Sequence, residues 1–119
     1  MSAAESATFK RKYPRRLFTG TVGVLYRGQY MVTQARSLGE GGMSFFWPSS
    51  LPIESGVVVT FKIPGDEMIS LRGEIRNSKK SNEGPHPILL GIQFLPLPIG
   101  DKRRIRAFIS ARTNNEPFV

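Results

Sequence analysis

Twelve glycines and nine prolines are scattered through the 119 residues rather than gathered into a repeat, and this spacing constrains what the chain can build. Proline cannot donate to a helix or sheet ladder and glycine weakens both, so the regular segments between them must be short. Those segments are rich in β-branched and aromatic residues such as Val22, Val24, Tyr26, Tyr30, Val32 and Thr33, which suit a pleated strand. The expectation is one β-rich domain of short strands and tight turns around a single core. The length leaves no room for a catalytic domain beside a regulatory one.

Residues 1–9 are small and polar apart from Phe9 and are expected to form a disordered leader. Five of the seven residues from Lys10 to Arg16 are basic, and Pro14 biases Tyr13 toward extended backbone, so 10–16 is expected to be an arm rather than a helix. Between Leu17 and Leu38, Arg27-Gly28 marks the turn of a hairpin. Gly39-Glu40-Gly41-Gly42 interrupts the pattern; Met43 to Trp47 is a strand ended by Pro48, and Val57 to Ile63 is another. Pro64-Gly65-Asp66-Glu67 turns the chain into a strand from Met68 to about Ser78. A polar loop from Lys79 to His86 precedes a last strand from Pro87 to Leu95. Ile105, Phe108 and Ile109 lie on one stripe of a helix over 101–112, with Asp101 as its N-cap, and 113–119 is a tail. The expected fold class is all-β: a six-stranded antiparallel β-barrel within 10–112, closed to remove its edges, with the C-terminal helix plugging an end or covering a seam.

The formal net charge of +8 favours an anionic partner, whether nucleotide, nucleic acid, acidic lipid surface or acidic protein. Cysteine is absent, which excludes disulfides, thiolate metal sites and Cys nucleophiles. No apolar run approaches the roughly 20 residues that span a bilayer, and Met1 to Thr8 lacks the apolar segment of a secretory signal, so a cytoplasmic location is expected. Enzymatic chemistry finds no support. The only histidine, His86, sits between two prolines without an acidic neighbour in sequence, and the only adjacent acidic pair, Asp66-Glu67, occupies a turn. Gly39-Glu40-Gly41-Gly42 is not followed by Lys and Ser or Thr and opens no helix, so it is not a P-loop.

The arm carries the clearest chemical signal. Arg11 and Arg15 are spaced RxxxR, and in an extended strand an even step projects both side chains to the same side, where they can close on one ligand. Guanidinium groups bind phosphate bidentately and also bond to, or stack on, guanine. Downstream, Ser37-Leu38-Gly39-Glu40-Gly41-Gly42-Met43 leads into a strand, and its glycines suit either a tight hairpin or close approach of a ligand to the backbone.

In this order the arm, the Gly-rich turn, Leu71-Arg72-Gly73-Glu74-Ile75, Gly91-Ile92-Gln93-Phe94 and the terminal basic helix resemble the PilZ domain from about Lys10 to Arg112. The resemblance implies a six-stranded barrel that binds cyclic di-GMP through an RxxxR arm and a D/NxSxxG turn. It implies that Arg11 and Arg15 are the arm arginines, that Lys12 and Arg16 add charge, and that the segment from Ser37 to Gly42 forms the floor. Aligning Gly41-Gly42-Met43 with the Gly-Gly-hydrophobic exit of that turn sets Ser37 at the Asp/Asn position, Gly39 at the Ser position and Gly42 at the final Gly. The other register sets Ala35 at the first position and Glu40 at the last, bringing charge and a Cβ where neither is wanted. In the first register two signature side chains differ from the pattern, and restoring them with Ser37→Asp and Gly39→Ser is expected to strengthen binding.

The implied function is a cyclic di-GMP receptor and adaptor whose arginine arm orders on the ligand and signals to a partner protein, with no cofactor or metal and no catalysis. The alternative is a degenerate PilZ scaffold for protein interaction in motility or surface-organelle regulation that binds no nucleotide. Nucleic-acid binding through Arg103, Arg104 and Arg106 is a third possibility, with Phe45, Phe46 and Trp47 as stacking groups if exposed. Consecutive strand residues alternate faces, so Phe46 is expected opposite Phe45 and Trp47.

Overall fold

The structure, a computed structural model, describes residues 14–112 together with Glu116, Phe118 and Val119. Its strands are β1 (Arg15–Leu17), β2 (Thr21–Tyr26), β3 (Gln29–Gly39), β4 (Gly42–Trp47), β5 (Gly56–Lys62), β6 (Met68–Lys80) and β7 (Ile88–Phe94), followed by one helix, α1 (Ile99–Ser110), among the described residues. The strands β3, β2, β5, β6, β7 and β4 are neighbours in that order, and β4 returns to β3, which closes six antiparallel strands into a barrel. Strand β1 lies outside the ring. It pairs with the last residues of β3 on the same edge that β2 occupies earlier along that strand.

Local sequence explains the turns. Arg27 and Gly28 have φ of 48° and 77°, the two left-handed residues of a primed hairpin turn whose twist matches the flanking strands, and Tyr26 pairs with Gln29 across it. Gly65 has φ of 79° in the β5–β6 turn, where Asp66 N donates to Ile63 O at 2.9 Å. Alternating apolar side chains from every barrel strand meet inside, among them Val22, Val24, Met43, Phe45, Val59, Phe61, Ile75, Leu90 and Ile92. Burying a side chain of this size stabilises the fold by about 1.5–3 kcal/mol, which makes this interior the main source of stability.

Helix α1 closes one end of the barrel with Ile105 and Ile109 buried and Phe108 half-buried. Phe18, just after β1, joins helix and barrel: its ring lies 5.7 Å from that of Phe108, edge on, and 5.8 Å from that of Phe61. Arg104 ties the helix to the β5–β6 turn, with Nε 3.0 Å from Asp66 Oδ2 and Nη2 donating to Glu67 O at 2.8 Å.

Three boundaries differ from expectation. The count of strands rises from six to seven because Arg15 and Arg16, read as the end of the arm, form β1 with Leu17. The helix starts at Ile99, earlier than 101, and ends at Ser110. Pro98, with φ −57° and ψ 143°, stands at the N-cap without a side-chain cap bond, so Asp101 is not the cap. Its carboxylate lies inside the first turn, where it faces the positive end of the helix and pairs with Arg104 Nη1 at 3.4 Å. Strand β6 runs on to Lys80 because its end pairs with the start of β7.

Candidate ligand-binding site

The barrel has an outer face that can be read from its inner one. Met43, Phe45 and Trp47 point into the core, so Gly42, Ser44 and Phe46 point out; on β7, Leu90 and Ile92 point in and Gly91 and Gln93 out. A bulge between Ala35 and Ser37 resets the alternation on β3, so that Ser37 faces outward opposite Ser44 while Leu38 returns to the core. Ser37, Ser44, Gly91 and Asn77 thus form one row across β3, β4, β7 and β6. The hydroxyls of Ser37 and Ser44 are buried and share a hydrogen bond of 2.7 Å. Gly91 has no side chain to raise the floor there: a Cβ would stand 2.6 Å from Asn77 Oδ1.

Strand β1 brings an arginine to this face. Pairing sets Arg15 opposite Gly39, Arg16 opposite Leu38 and Leu17 opposite Ser37, so Arg15 shares the outer side with Ser37 and Gly39 whereas Arg16 turns the other way. Arg15 Nη2 lies 3.4 Å from Ile92 O, and a Cβ on Gly42 would sit 2.8 Å from the same nitrogen and overlap Ile92 O. At Gly39 a Cβ would meet Pro14 O at 2.7 Å and Arg15 Cγ at 2.8 Å. Neither glycine has left-handed φ; both are required by close approach of other chain segments. Gly41 accepts at its carbonyl from Phe94 N at 2.9 Å, tying the β3–β4 turn to the end of β7.

Arg16 is engaged on the helix side. Its Nε lies 2.8 Å from Glu116 Oε2, its Nη1 donates to Phe108 O at 2.7 Å, and its guanidinium carbon sits 4.3 Å above the Phe108 ring. Val119 N donates to Arg15 O at 2.9 Å, so β1 is held between β3 and the last residues of the chain. Arg11 and Lys12 lie outside the described residues. The structure therefore brings Arg15, Ser37, Gly39 and Gly42 together and directs Arg16 away from them.

Glu40, in the turn itself, does not aim its charge at this face. Both its oxygens accept from Arg106, at 3.0 and 3.1 Å. That hydrogen bonding, with Arg106 and Lys102 as nearby charges, holds the Glu40 carboxyl below the usual range. Pro14, Glu40, Arg106, Ile109, Arg112 and Phe118 line a cleft between the turn, the helix and the chain end. Arg104 and Arg106 of the basic helix are both occupied by acidic partners on the barrel. Phe46 faces opposite Phe45 and Trp47, yet all three are buried, because the loop after β6 lays Gly84 directly on the Phe46 ring. None of them presents an open ring to a base. Among the described residues no cluster of His, Cys, Asp or Glu could hold a metal ion, and no helix is long and apolar enough to cross a membrane.

Sequence reasoning did not place Ser44, Gly91 or Asn77 at this face. Ser44 was within reach, since alternation around Met43 and Phe45 sends it outward. The others become neighbours only through the pairing of β6, β7 and β4.

A closed antiparallel barrel with an arginine-bearing strand laid against a Gly-rich turn defines a small β-barrel module. The PilZ domain family model matches residues 9–111, and the chain belongs to that family. No curated protein matches the sequence. Among solved structures the chain is similar to the Bacillus subtilis inhibitor of motility MotI/DgrA, with a TM-score of 0.72 at 13% identity over 87% of this chain and 54% of that one. It is similar to the PilZ domain of YcgR from Escherichia coli with cyclic di-GMP, with a TM-score of 0.67 at 14% identity over 85% of this chain and 90% of that domain. A third is the K. pneumonia MrkH complex with cyclic di-GMP, with a TM-score of 0.67 at 17% identity over 85% of this chain and 51% of that one. The chain spans about half the length of MotI and MrkH.

Proposed function

We infer that this chain is a cyclic di-GMP receptor that binds its ligand on the outer face of β3 and β4 and passes the signal to a partner protein. Arg15, joined by Arg11 from the same RxxxR arm, grips phosphate and guanine, Lys12 adds charge, and Ser37, Gly39, Gly41 and Gly42 form the floor. The carrying observation is the position of the Arg15 guanidinium against Gly42, which supports reading the arm and the Gly-rich turn as parts of one site. YcgR and MrkH, similar in fold, are described in complex with cyclic di-GMP, which supports the same ligand here. Binding neutralises some of the net charge of +8 at a face that already carries Arg15. The output is a changed surface rather than a chemical step, and the place of action is the cytoplasm.

Isothermal titration of the whole chain with cyclic di-GMP, with GTP and a short single-stranded DNA as controls, tests this. Saturable binding of cyclic di-GMP alone is expected. No heat with cyclic di-GMP from a folded sample would leave the second reading, a scaffold that binds no nucleotide. One observation favours that scaffold: the serine of the family's turn is replaced by Gly39, and Pro14 and Arg15 fill the space its side chain would take.

A further inference from the structure

The bulge on β3 has a chemical consequence. The extra residue it inserts is Arg36, between inward Ala35 and outward Ser37. Arg36 O accepts from Phe18 N at 3.0 Å, and its side chain reaches the loop after β6, where Nε lies 3.3 Å from Glu83 Oε1. The next residue, Gly84, lies on the outward ring of Phe46. Along the outer side of β4 the order is therefore Gly42 beneath Arg15, Ser44 bonded to Ser37, and Phe46 beneath the loop that holds Arg36. Gly42, beneath Arg15, and Phe46, beneath the loop whose Glu83 holds Arg36, stand four residues apart on β4, about 13 Å along the strand, with Ser44 between them. A ligand with two bases and two phosphates can span this stretch.

Arg36 is poorly satisfied where it stands. Its Nη1 is buried and has no hydrogen-bond partner among the described residues. Its one acidic partner, Glu83, is 58% exposed and makes a single long contact, the kind of surface pair that water and salt weaken. A buried guanidinium N–H without an acceptor is unfavourable, so the side chain gains by meeting an anionic oxygen or the O6 and N7 of guanine, which its planar fork matches bidentately.

We propose that Arg36 is a further ligand-binding residue, another arginine beside the paired serines, held by Glu83 and released to a phosphate or guanine edge of cyclic di-GMP when the ligand displaces that carboxylate. It supplies from the neighbouring position part of the polar contact that Ser37 and Gly39 do not offer. The proposal rests on the receptor reading above.

Titrations of cyclic di-GMP into the wild-type chain, Arg36→Gln, Arg36→Lys, Glu83→Gln and the Arg36→Gln/Glu83→Gln pair test it, each sample checked by circular dichroism. Arg36→Gln is expected to weaken binding about tenfold or more, and Arg36→Lys to restore only part of it because an ammonium cannot make the paired bonds. Glu83→Gln is expected to strengthen binding about two- to fivefold with Arg36 present and to change nothing in its absence, the coupling that a carboxylate acting only through Arg36 must show. Unchanged affinity in folded Arg36→Gln overturns the proposal while leaving the receptor reading intact. So does a gain from Glu83→Gln that persists without Arg36, which would reduce Glu83 to a general charge effect. If Arg36→Gln does not fold, unchanged affinity in both Arg36→Lys and Glu83→Gln overturns it. Absence of binding by the folded wild-type chain overturns the receptor reading and this proposal with it.

Discussion

Replacing Gly39 by serine restores a signature side chain of the family's turn, and the structure sets a cost in stability against the binding benefit expected from sequence. An added Cβ would stand 2.7 Å from Pro14 O and 2.8 Å from Arg15 Cγ. Even a weak C–H···O contact needs about 3.3 Å, so the strand opposite must move. The backbone at Gly39 is not left-handed, and the cost is therefore crowding rather than strain in φ. Overpacking of this kind destabilises by about 1–3 kcal/mol. At about 4 °C per kcal/mol, that is a fall of about 4–12 °C in the melting temperature. The lower value applies if β1 slides and keeps its pairs with Ser37 and Leu38, the upper if β1 lifts and Arg16 loses Glu116 and Phe108 O. Thermal melting by circular dichroism gives the magnitude, and amide exchange at Phe18 and Val119, whose N–H groups bond to Arg36 O and Arg15 O, shows where it arises. Unchanged melting together with unchanged protection at those two amides would refute the account of why glycine stands here. Ser37→Asp alone leaves β1 in place and is the variant expected to improve cyclic di-GMP binding.

Of the two arginines of β1, only Arg16 is expected to carry much of the stability. Arg16→Ala should cost about 1.5–3 kcal/mol of stability in urea unfolding, the range for hydrogen bonds to charged groups, whereas Arg15→Ala should weaken cyclic di-GMP binding by a similar amount with little change in the unfolding midpoint. Ser37→Ala leaves the buried Ser44 hydroxyl without its partner and should cost about 1–3 kcal/mol, while Ser37→Ala with Ser44→Ala should cost less than either single change; additive costs would show that the two hydroxyls are not coupled. Glu40 and Asp66, both held below the usual carboxylate range first by their hydrogen bonds to Arg106 and Arg104, contribute stability that is present above the unfolded-state pKa of about 4 and is lost as pH falls through their lower folded values. Urea midpoints of wild type and Glu40→Gln should differ slightly at neutral pH and converge as the pH falls through the lowered Glu40 value, and parallel curves would contradict this.

What was legible in the sequence was local. Arg27-Gly28 and Pro64-Gly65 announced their turns because each needs a left-handed residue, and glycine supplies one at φ of 77° and 79°. The barrel strands could be placed within a residue or two because β-branched runs between such turns have few other uses. The helix start was misplaced because Asp101 has the chemistry of a cap, whereas Pro98, whose ring fixes φ, is where the chain turns into the helix. The pairing of β1 was not legible, although extended backbone was expected there. Arg15, Arg16 and Leu17 show no apolar alternation, and what makes them a strand is the edge of β3 on one side and Val119, from the far end of the chain, on the other. The burial of both faces of β4 was equally hidden, since Phe46 is covered by Gly84 from a loop nearly forty residues later. Of the site, the residue types in the arm and turn could be read; the row through Ser44, Gly91 and Asn77 exists only after three strands have paired.

This pairing also changes how an arginine arm can work. Fixing a residue costs about 1–2 kcal/mol, which an arm that orders only on its ligand must recover from the ligand contacts themselves. Residues 15–17 are held by β3 and by the chain end, so for them that cost is met by protein contacts and the charge of Arg15 is presented at a fixed place. A strand gripped on both edges also moves as a unit. Arg15 and Arg16 are adjacent on it and point to opposite sides, one to the outer face of the barrel, the other to Phe108 of the helix and to Glu116. A ligand that pulls Arg15 therefore acts through β1 on the bonds of Arg16, and loss of the Arg16 contacts should alter ligand affinity as well as stability.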